Sequence, residues 1–177
     1  MGAWGEALAR HARGQDDRPV ETEREAKSIS QETTFAKDVR EAAALRRTLL
    51  EQAESVAASL RRAGLVARTV KLKLRWPPFE TLTRQSTLPQ PTDLEGEIFQ
   101  AAWGLFEKAW TRGKAVRLIG VGVSGLQSPA QQLGLFEAGA LPKAEKVAEV
   151  IDQIRARYGW EAVKRAALIE KEKPEET

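Results

Sequence analysis

Two kinds of hydrophobic spacing follow each other along the chain and predict helix and strand in turn. Across residues 38–63, apolar side chains recur every three or four positions, which predicts an amphipathic helix that ends at Gly64. Across residues 65–76 the spacing becomes an alternation, with Val, Leu and Trp on one face and Thr, Lys and Arg on the other. This second pattern predicts a strand with one buried and one exposed face.

The remaining segments of the middle region complete a β-α-β-β-α-β order. They are a first strand over 26–35, a third strand over 79–88, a second helix over 94–109 and a last strand over 116–126. Pro89 and Pro91 are predicted to end the third strand, and Thr92-Asp93 to cap the second helix. We expect an α+β fold, in which both helices cover one face of a four-stranded, mostly antiparallel sheet.

The two ends of the chain predict further elements outside this sheet. Residues 4–13 predict a short helix, and the polar stretch 15–25, which contains a proline, reads as a linker. Residues 143–167 return to helical spacing with an interruption at Gly159, and a charged end follows. We therefore expect a C-terminal helical tail.

Composition narrows the class of protein. The chain has 177 residues, 42% of them hydrophobic and none of them Cys. Disulfides, thiolate metal sites and cysteine nucleophiles are therefore excluded. No apolar run reaches the length of a membrane span, and no secretory signal begins the sequence. These features predict a cytoplasmic protein that does not contact a membrane.

Positive charge is concentrated although the net charge is only +3. One stretch carries Arg61, Arg62, Arg68, Lys71, Lys73, Arg75 and Arg84, opposed by Glu80. Alternation places Lys71, Lys73 and Arg75 on the exposed face of the second strand, which suits a phosphate backbone. The alternative interpretation is a solvated strand face with scattered cations.

Residues for catalysis by this chain are not apparent. The single histidine, His11, lies beside Arg13 and is interpreted as a surface or packing residue. Asp16-Asp17 falls in the predicted linker and favours ordinary ion pairs and turn hydrogen bonds. Gly120-Val121-Gly122 lies inside a strand, where it favours close packing over a phosphate loop. Hydrolytic or phosphoryl chemistry needs clustered ligands or a base beside a nucleophile, and neither is found.

A short apolar motif follows the last predicted strand. Gln132, Leu133, Leu135 and Phe136 occupy a segment with no helix or strand pattern. Apolar side chains in such a loop invite the pocket of a partner. The spacing resembles the peptide by which bacterial polymerases and repair proteins bind the sliding DNA clamp. The alternative is that these side chains hold the loop against the domain's own core.

Several strings, in order, resemble the little-finger domain of Y-family translesion polymerases, the bacterial DNA polymerase IV family. They are AKSISQETTF (26–35), GLVARTVKLKLRW (64–76), FETLTRQSTLPQPT (79–92) and VRLIGVGVSGL (116–126). ARGQDDRPVE (12–21) is similar to the end of the family's thumb and its tether. VIDQIRARYGWEAVKRA (150–166) is similar to the tail helix of some members.

The resemblance implies an arrangement of domains and a DNA-binding role. It implies a thumb remnant over 1–14, a linker over 15–25, a little finger over 26–126, a loop with the clamp motif over 127–142 and a tail over 143–177. The little finger lies along duplex DNA and contacts phosphates without reading sequence. The matching positions are Lys27, Ser28, Ile29, Thr83, Arg84, Gln85, Ser86 and Thr87. The family commonly has a basic residue where Ser86 stands, so one phosphate contact is expected to be weaker.

The resemblance also implies what this chain does not carry. The family's palm, whose carboxylates hold the catalytic Mg ions, would lie before Met1. We therefore expect a monomeric chain without a cofactor or polymerase activity of its own, and with DNA and the sliding clamp as partners. Two other hypotheses stay open: a free-standing interaction module with no direct DNA role, and a catalytically inactive regulatory paralogue.

Overall fold

A computed structural model describes residues 2–16, 26–78, 80–129 and 143–169 of the chain. The strands in these ranges are β1 (Ser28–Val39), β2 (Val66–Trp76), β3 (Glu80–Thr92) and β4 (Val116–Gln127). The helices are α1 (Ala3–Ala12), α2 (Ala42–Arg62), α3 (Glu95–Ala109) and α4 (Lys143–Tyr158). Among these helices, none has the length and apolar character needed to cross a membrane.

The four strands form one antiparallel sheet in the order β1-β4-β2-β3. Helix α2 packs against β1 and β4, and α3 packs against β2 and β3, so both helices cover the same face. This arrangement confirms the predicted α+β fold and its β-α-β-β-α-β order. The opposite face of the sheet is left open, and β1 and β3 are its edges.

The core lies between the covered face of the sheet and the two helices. On β2, the apolar set of the alternating pattern is buried and faces the helices, as predicted: Val70, Leu72, Leu74 and Trp76. Full burial of such a side chain stabilises the fold by about 1.5–3 kcal/mol. A polar contact joins the layers as well: the amide Nε2 of the buried Gln52 donates to Thr33 Oγ1 (3.0 Å) and to the backbone oxygen of Ile119 (2.9 Å).

The structure corrects three predicted boundaries. Strand β1 runs beyond Phe35 to Val39, so the helix predicted to start at residue 38 begins later, as α2 at Ala42. Strand β3 continues through Pro89 and Pro91, because an edge strand tolerates residues that cannot donate a hydrogen bond. Thr92 was predicted with Asp93 to cap α3, but the N-cap residue of α3 is Leu94. Thr92 Oγ1 accepts a hydrogen bond from the backbone N–H of Leu94 (3.1 Å).

The C-terminal tail is also shorter as a helix than predicted. Helix α4 ends at Tyr158. The next residue, Gly159, has a positive φ of 92°, which residues other than glycine rarely adopt. Two short 3₁₀ segments, Trp160–Ala162 and Ala166–Leu168, follow it. Leu168 is buried in the hydrophobic core of the domain. The tail is therefore docked on the helical side of the domain, away from the open face of the sheet.

Candidate nucleic-acid interface

The open face of the sheet presents side chains in regular rows, most of them polar, because residues directly opposite each other on neighbouring strands share a face. Four rows of four residues cross the strands in the order β1, β4, β2, β3. The rows are Ser28, Ser124, Thr69 and Thr87; Ser30, Gly122, Lys71 and Gln85; Glu32, Gly120, Lys73 and Thr83; and Thr34, Leu118, Arg75 and Thr81. We call this set the open-face grid.

The grid brings a line of cations together with hydroxyl and amide groups. Lys71, Lys73 and Arg75 stand on β2, one in each of three successive rows. Hydroxyl and amide side chains of β3 flank them, and Arg75 Nε donates to Thr81 Oγ1 at 2.9 Å. Rows are about 6.6 Å apart along a strand and strands about 4.8 Å apart across the sheet. None of the sixteen described grid positions holds an aromatic side chain.

A groove runs along the grid above β4, where two positions lack side chains. Gly120 and Gly122 form its floor, and Lys71 and Lys73 stand on one side of it. Its volume is about 180 Å³. These glycines were predicted to serve close packing. The tight contact at Gly122 is consistent with that role, because an added Cβ would lie 3.1 Å from the side chain of Ser30.

One carboxylate lies among the cations of the grid. Glu32 of β1 reaches over Gly120, and both of its oxygens accept hydrogen bonds from Lys73 Nζ, at 2.8 and 2.9 Å. The two side chains are about one-third exposed, at 37% for Glu32 and 33% for Lys73. The pair is therefore partly accessible to water and to ions.

The structure divides the sequence-predicted DNA-binding residues between two faces. Seven lie on the open-face grid: Ser28, Lys71, Lys73, Arg75, Thr83, Gln85 and Thr87. Ile29 instead packs against the core, whereas Arg84 and Ser86 stand opposite the core residues Leu72 and Val70. Strand alternation is the reason, since consecutive residues point to opposite faces. Lys27 is exposed immediately before β1.

Several grid positions were not singled out from the sequence. They are Ser30, Glu32, Thr34, Thr69, Thr81 and Ser124. Their signal was the alternation of the strands, but reading it across the sheet required the register. The positions carry no strong chemical pattern of their own.

The tertiary structure also separates the basic stretch of the sequence. Arg61, on α2, faces the tail and not the grid: its Nε and Nη2 donate to the Asp152 carboxylate at 2.6 and 3.1 Å. Burial alone would lower the pKa of Arg61, but its hydrogen bond and charge pairing with Asp152, aided by Glu95, raise it above the ordinary value. Arg61 therefore helps to hold the C-terminal tail against α2.

Two further sequence-derived features concern metals and the clamp motif. Within the part of the chain that the structure describes, no group of three or more His, Asp or Glu side chains could hold a metal ion. Gln132, Leu133, Leu135 and Phe136 lie outside the described residues. The motif follows β4 and precedes α4 in the sequence.

Comparison with known proteins shows the family. Residues 26–135 match the impB/mucB/samB family C-terminal domain. The chain is 42% identical over 164 residues to a DNA polymerase IV of Dehalococcoides mccartyi (strain CBDB1), covering 92% of this chain and 42% of that protein. It is 40% identical over 172 residues to a DNA polymerase IV of Desulfatibacillum aliphaticivorans, covering 96% and 43%.

A third relative extends the same result to another organism. A DNA polymerase IV of Streptomyces coelicolor is 42% identical over 147 residues, which are 83% of this chain and 30% of that protein. The chain thus spans less than half the length of these curated relatives. The predicted resemblance is confirmed: the chain belongs to the impB/mucB/samB family and carries the C-terminal domain that it shares with DNA polymerase IV proteins.

Proposed function

We propose that the open-face grid binds the phosphate backbone of duplex DNA, as the DNA-holding part of an error-prone translesion polymerase. The carrying observation is the line of Lys71, Lys73 and Arg75 on β2, surrounded by hydroxyl and amide side chains. Phosphate oxygens accept hydrogen bonds from such donors, and contacts to phosphate position a protein without reading bases. The absence of aromatic residues from the described grid positions argues against base stacking as the main mode of binding.

The dimensions of the grid support the same proposal. Four rows at about 6.6 Å cover roughly 20 Å along the strands, and four strands at about 4.8 Å cover roughly 14 Å across them. A surface of this size can face several consecutive phosphates of one duplex. Arg84 and Ser86 are proposed to contribute from the edge strand β3 and Ile29 through its main chain, since their side chains are not on the grid.

Duplex titration at two or more salt concentrations tests the proposal. Each phosphate neutralised by a cation contributes about −0.9 to the slope of log K against log salt. Replacing Lys71 and Arg75 together by Gln should therefore weaken binding and reduce the slope by roughly 1.8. The matched control replaces Arg47 and Lys108, two exposed cations on α2 and α3, by Gln.

Two outcomes contradict DNA binding by the grid. One is equal loss of affinity in the grid variant and in the control variant, because both lose the same charge. The other is the absence of salt-sensitive duplex binding by the wild-type chain. The second outcome favours the alternative function, a protein-interaction module with no direct DNA role.

The sliding clamp is proposed as the second partner. The support is the sequence pattern, in which Gln132 fixes register and Leu135 and Phe136 enter an apolar pocket. Burying two such side chains gives about 1.5–3 kcal/mol each, so the interaction is weak and exchangeable. A clamp-binding assay with both residues changed to Ala is the test. Undiminished binding by that variant would reject the clamp assignment.

The remaining parts of the domain plan are proposals about the whole protein. Residues 1–14 are assigned to the end of a thumb and 15–25 to a tether, with a DNA polymerase palm carried elsewhere in the full protein. Support comes from the family of the chain and from α1, where Trp4 is 79% and Leu8 48% exposed. These apolar side chains suit a packing partner. Sequencing the coding region upstream of Met1 tests the assignment, which requires an in-frame palm with paired carboxylates.

A further inference from the structure

Glu32 is the single carboxylate among the sixteen described positions of the open-face grid. It lies in the same row as Lys73, on β1, with β4 between the two strands. Both of its oxygens accept hydrogen bonds from Lys73 Nζ at 2.8 and 2.9 Å. The carboxylate thus holds one of the three cations of the grid.

Gly120 explains how Glu32 reaches across a whole strand. It is the residue between Glu32 and Lys73 in the row, and an added Cβ there would lie 2.7 Å from Glu32 Cγ and 3.2 Å from the backbone oxygen of Gln31. The missing side chain lets Glu32 lie flat over β4. The register of the sheet therefore places Glu32 and Lys73 in contact, and the pair does not depend only on the flexibility of two long surface side chains.

We infer that Glu32 competes with a DNA phosphate for Lys73 and so limits the strength with which the grid holds DNA. A carboxylate and a phosphate present the same kind of anionic oxygen to the ammonium group, and both cannot neutralise it together. Lys71, one row away, carries the same charge and faces Gln85 and Gly122 in place of a carboxylate. Lys71 and Arg75 therefore contact phosphates, while Glu32 keeps Lys73 from doing so. The inference rests on the proposed function of the grid.

The test is a double-mutant cycle on duplex DNA with the full chain. Glu32→Gln keeps the shape of the side chain and removes its charge, and Glu107→Gln, at an exposed position of α3, is the matched control for net charge. Glu32→Gln should tighten binding about threefold, the size expected for an exposed ion pair. It should also make the salt slope steeper by about 0.9, because Lys73 becomes free to neutralise one phosphate.

Lys73→Gln completes the cycle. In the wild-type background it removes no phosphate contact and should leave the salt slope unchanged, although the unpaired Glu32 then repels phosphate and lowers affinity. In the Glu32→Gln background it should remove the gain and restore the original slope. Glu107→Gln should leave the slope unchanged. An ordinary long-range effect of net charge would instead act alike in both Glu→Gln variants and would not depend on Lys73.

The outcomes separate the inference from the function on which it rests. Salt-dependent binding by the wild-type chain, with no difference between Glu32→Gln and Glu107→Gln, overturns the competition and leaves DNA binding standing. An equal change of the salt slope on Lys73→Gln in both backgrounds overturns it as well. Wild-type binding that lacks salt dependence overturns the proposed function together with the inference.

Discussion

Replacing Glu54 by Gln should release the C-terminal tail from the domain. Glu54 lies on α2 and is 4% exposed, and it pairs with two arginines of the tail. Arg155 Nη2 donates to one of its oxygens at 2.9 Å, and Arg165 Nε lies 2.7 Å from the other. The variant keeps the size of the side chain but removes the charge on which both arginines depend.

The loss of free energy that docks the tail on the domain comes mainly from Arg155. Its side chain is 8% exposed, so losing its partner leaves a buried cation, which costs about 3–5 kcal/mol. Arg155 keeps a hydrogen bond to the backbone oxygen of Val163 at 2.9 Å and its position 4.0 Å from the ring of Trp160. Arg165 is 43% exposed and still pairs with Glu95, so its share is under about 1 kcal/mol. We therefore expect a loss near the lower limit, about 3 kcal/mol.

Amide hydrogen exchange measures this loss of free energy separately for each element of the fold. A change of about 3 kcal/mol in the free energy of local opening speeds exchange roughly a hundredfold. The amides of α4 should show this change, whereas those of β2 should keep their protection. Glu107→Gln, exposed on α3, is the control with the same change of charge.

A second anchor sharpens the experiment. Arg61 and Asp152 also join α2 to α4, through a direct pair that does not include Glu54. Adding Asp152→Asn to Glu54→Gln should therefore release α4 further than either change alone. Unchanged exchange of α4 in Glu54→Gln would refute the reasoning, since the buried carboxylate would then not be what holds the tail. Equal acceleration of α4 and β2 would refute it too, because the effect would then be global.

Two further predictions concern glycines and pH. Gly120→Ala should lower the urea midpoint by the equivalent of about 1–3 kcal/mol, because the new methyl would lie 2.7 Å from Glu32 Cγ. Gly104→Ala on α3 meets nothing within 4 Å and should raise stability by about 0.5–1 kcal/mol; equal shifts in both would contradict the contact. Burial raises the pKa of Asp93, more than Arg61 lowers it, so the native state binds this proton more tightly than the unfolded chain. The charged carboxylate of Asp93 therefore lowers the free energy of unfolding at neutral pH. This cost becomes smaller as the pH falls and the carboxylate takes up a proton. Asp93→Asn should raise the melting temperature most at pH 7, with a difference that shrinks on acidification; a difference that grows on acidification would contradict the sign.

The elements of the fold could be predicted because their patterns are local. The alternation over 65–76 matches β2, which runs from Val66 to Trp76, and its apolar set is the buried one. The boundaries at Pro89, Pro91 and Gly159 were less accurate. An edge position permits proline in a strand, and whether a glycine stops or merely interrupts a helix depends on what the following segment packs against.

The candidate site could be predicted only in part. Charge and alternation identified Lys71, Lys73 and Arg75 as one exposed line, and the structure places them on the open-face grid. The same stretch of sequence also contains Arg61, which pairs with Asp152 on the helical side. Sequence proximity does not determine the direction of a side chain, because α2 and β2 belong to different layers.

The order of the elements, the buried face of β2 and the family could be read from the sequence, since periodicity and motifs are properties of neighbouring residues. The tertiary structure alone decided which residues meet across long separations. Glu32 meets Lys73, 41 positions away, and Glu54 meets Arg155, 101 positions away. Such pairs depend on strand register and helix docking, which arise from the packing of the whole core, so no local pattern contains them.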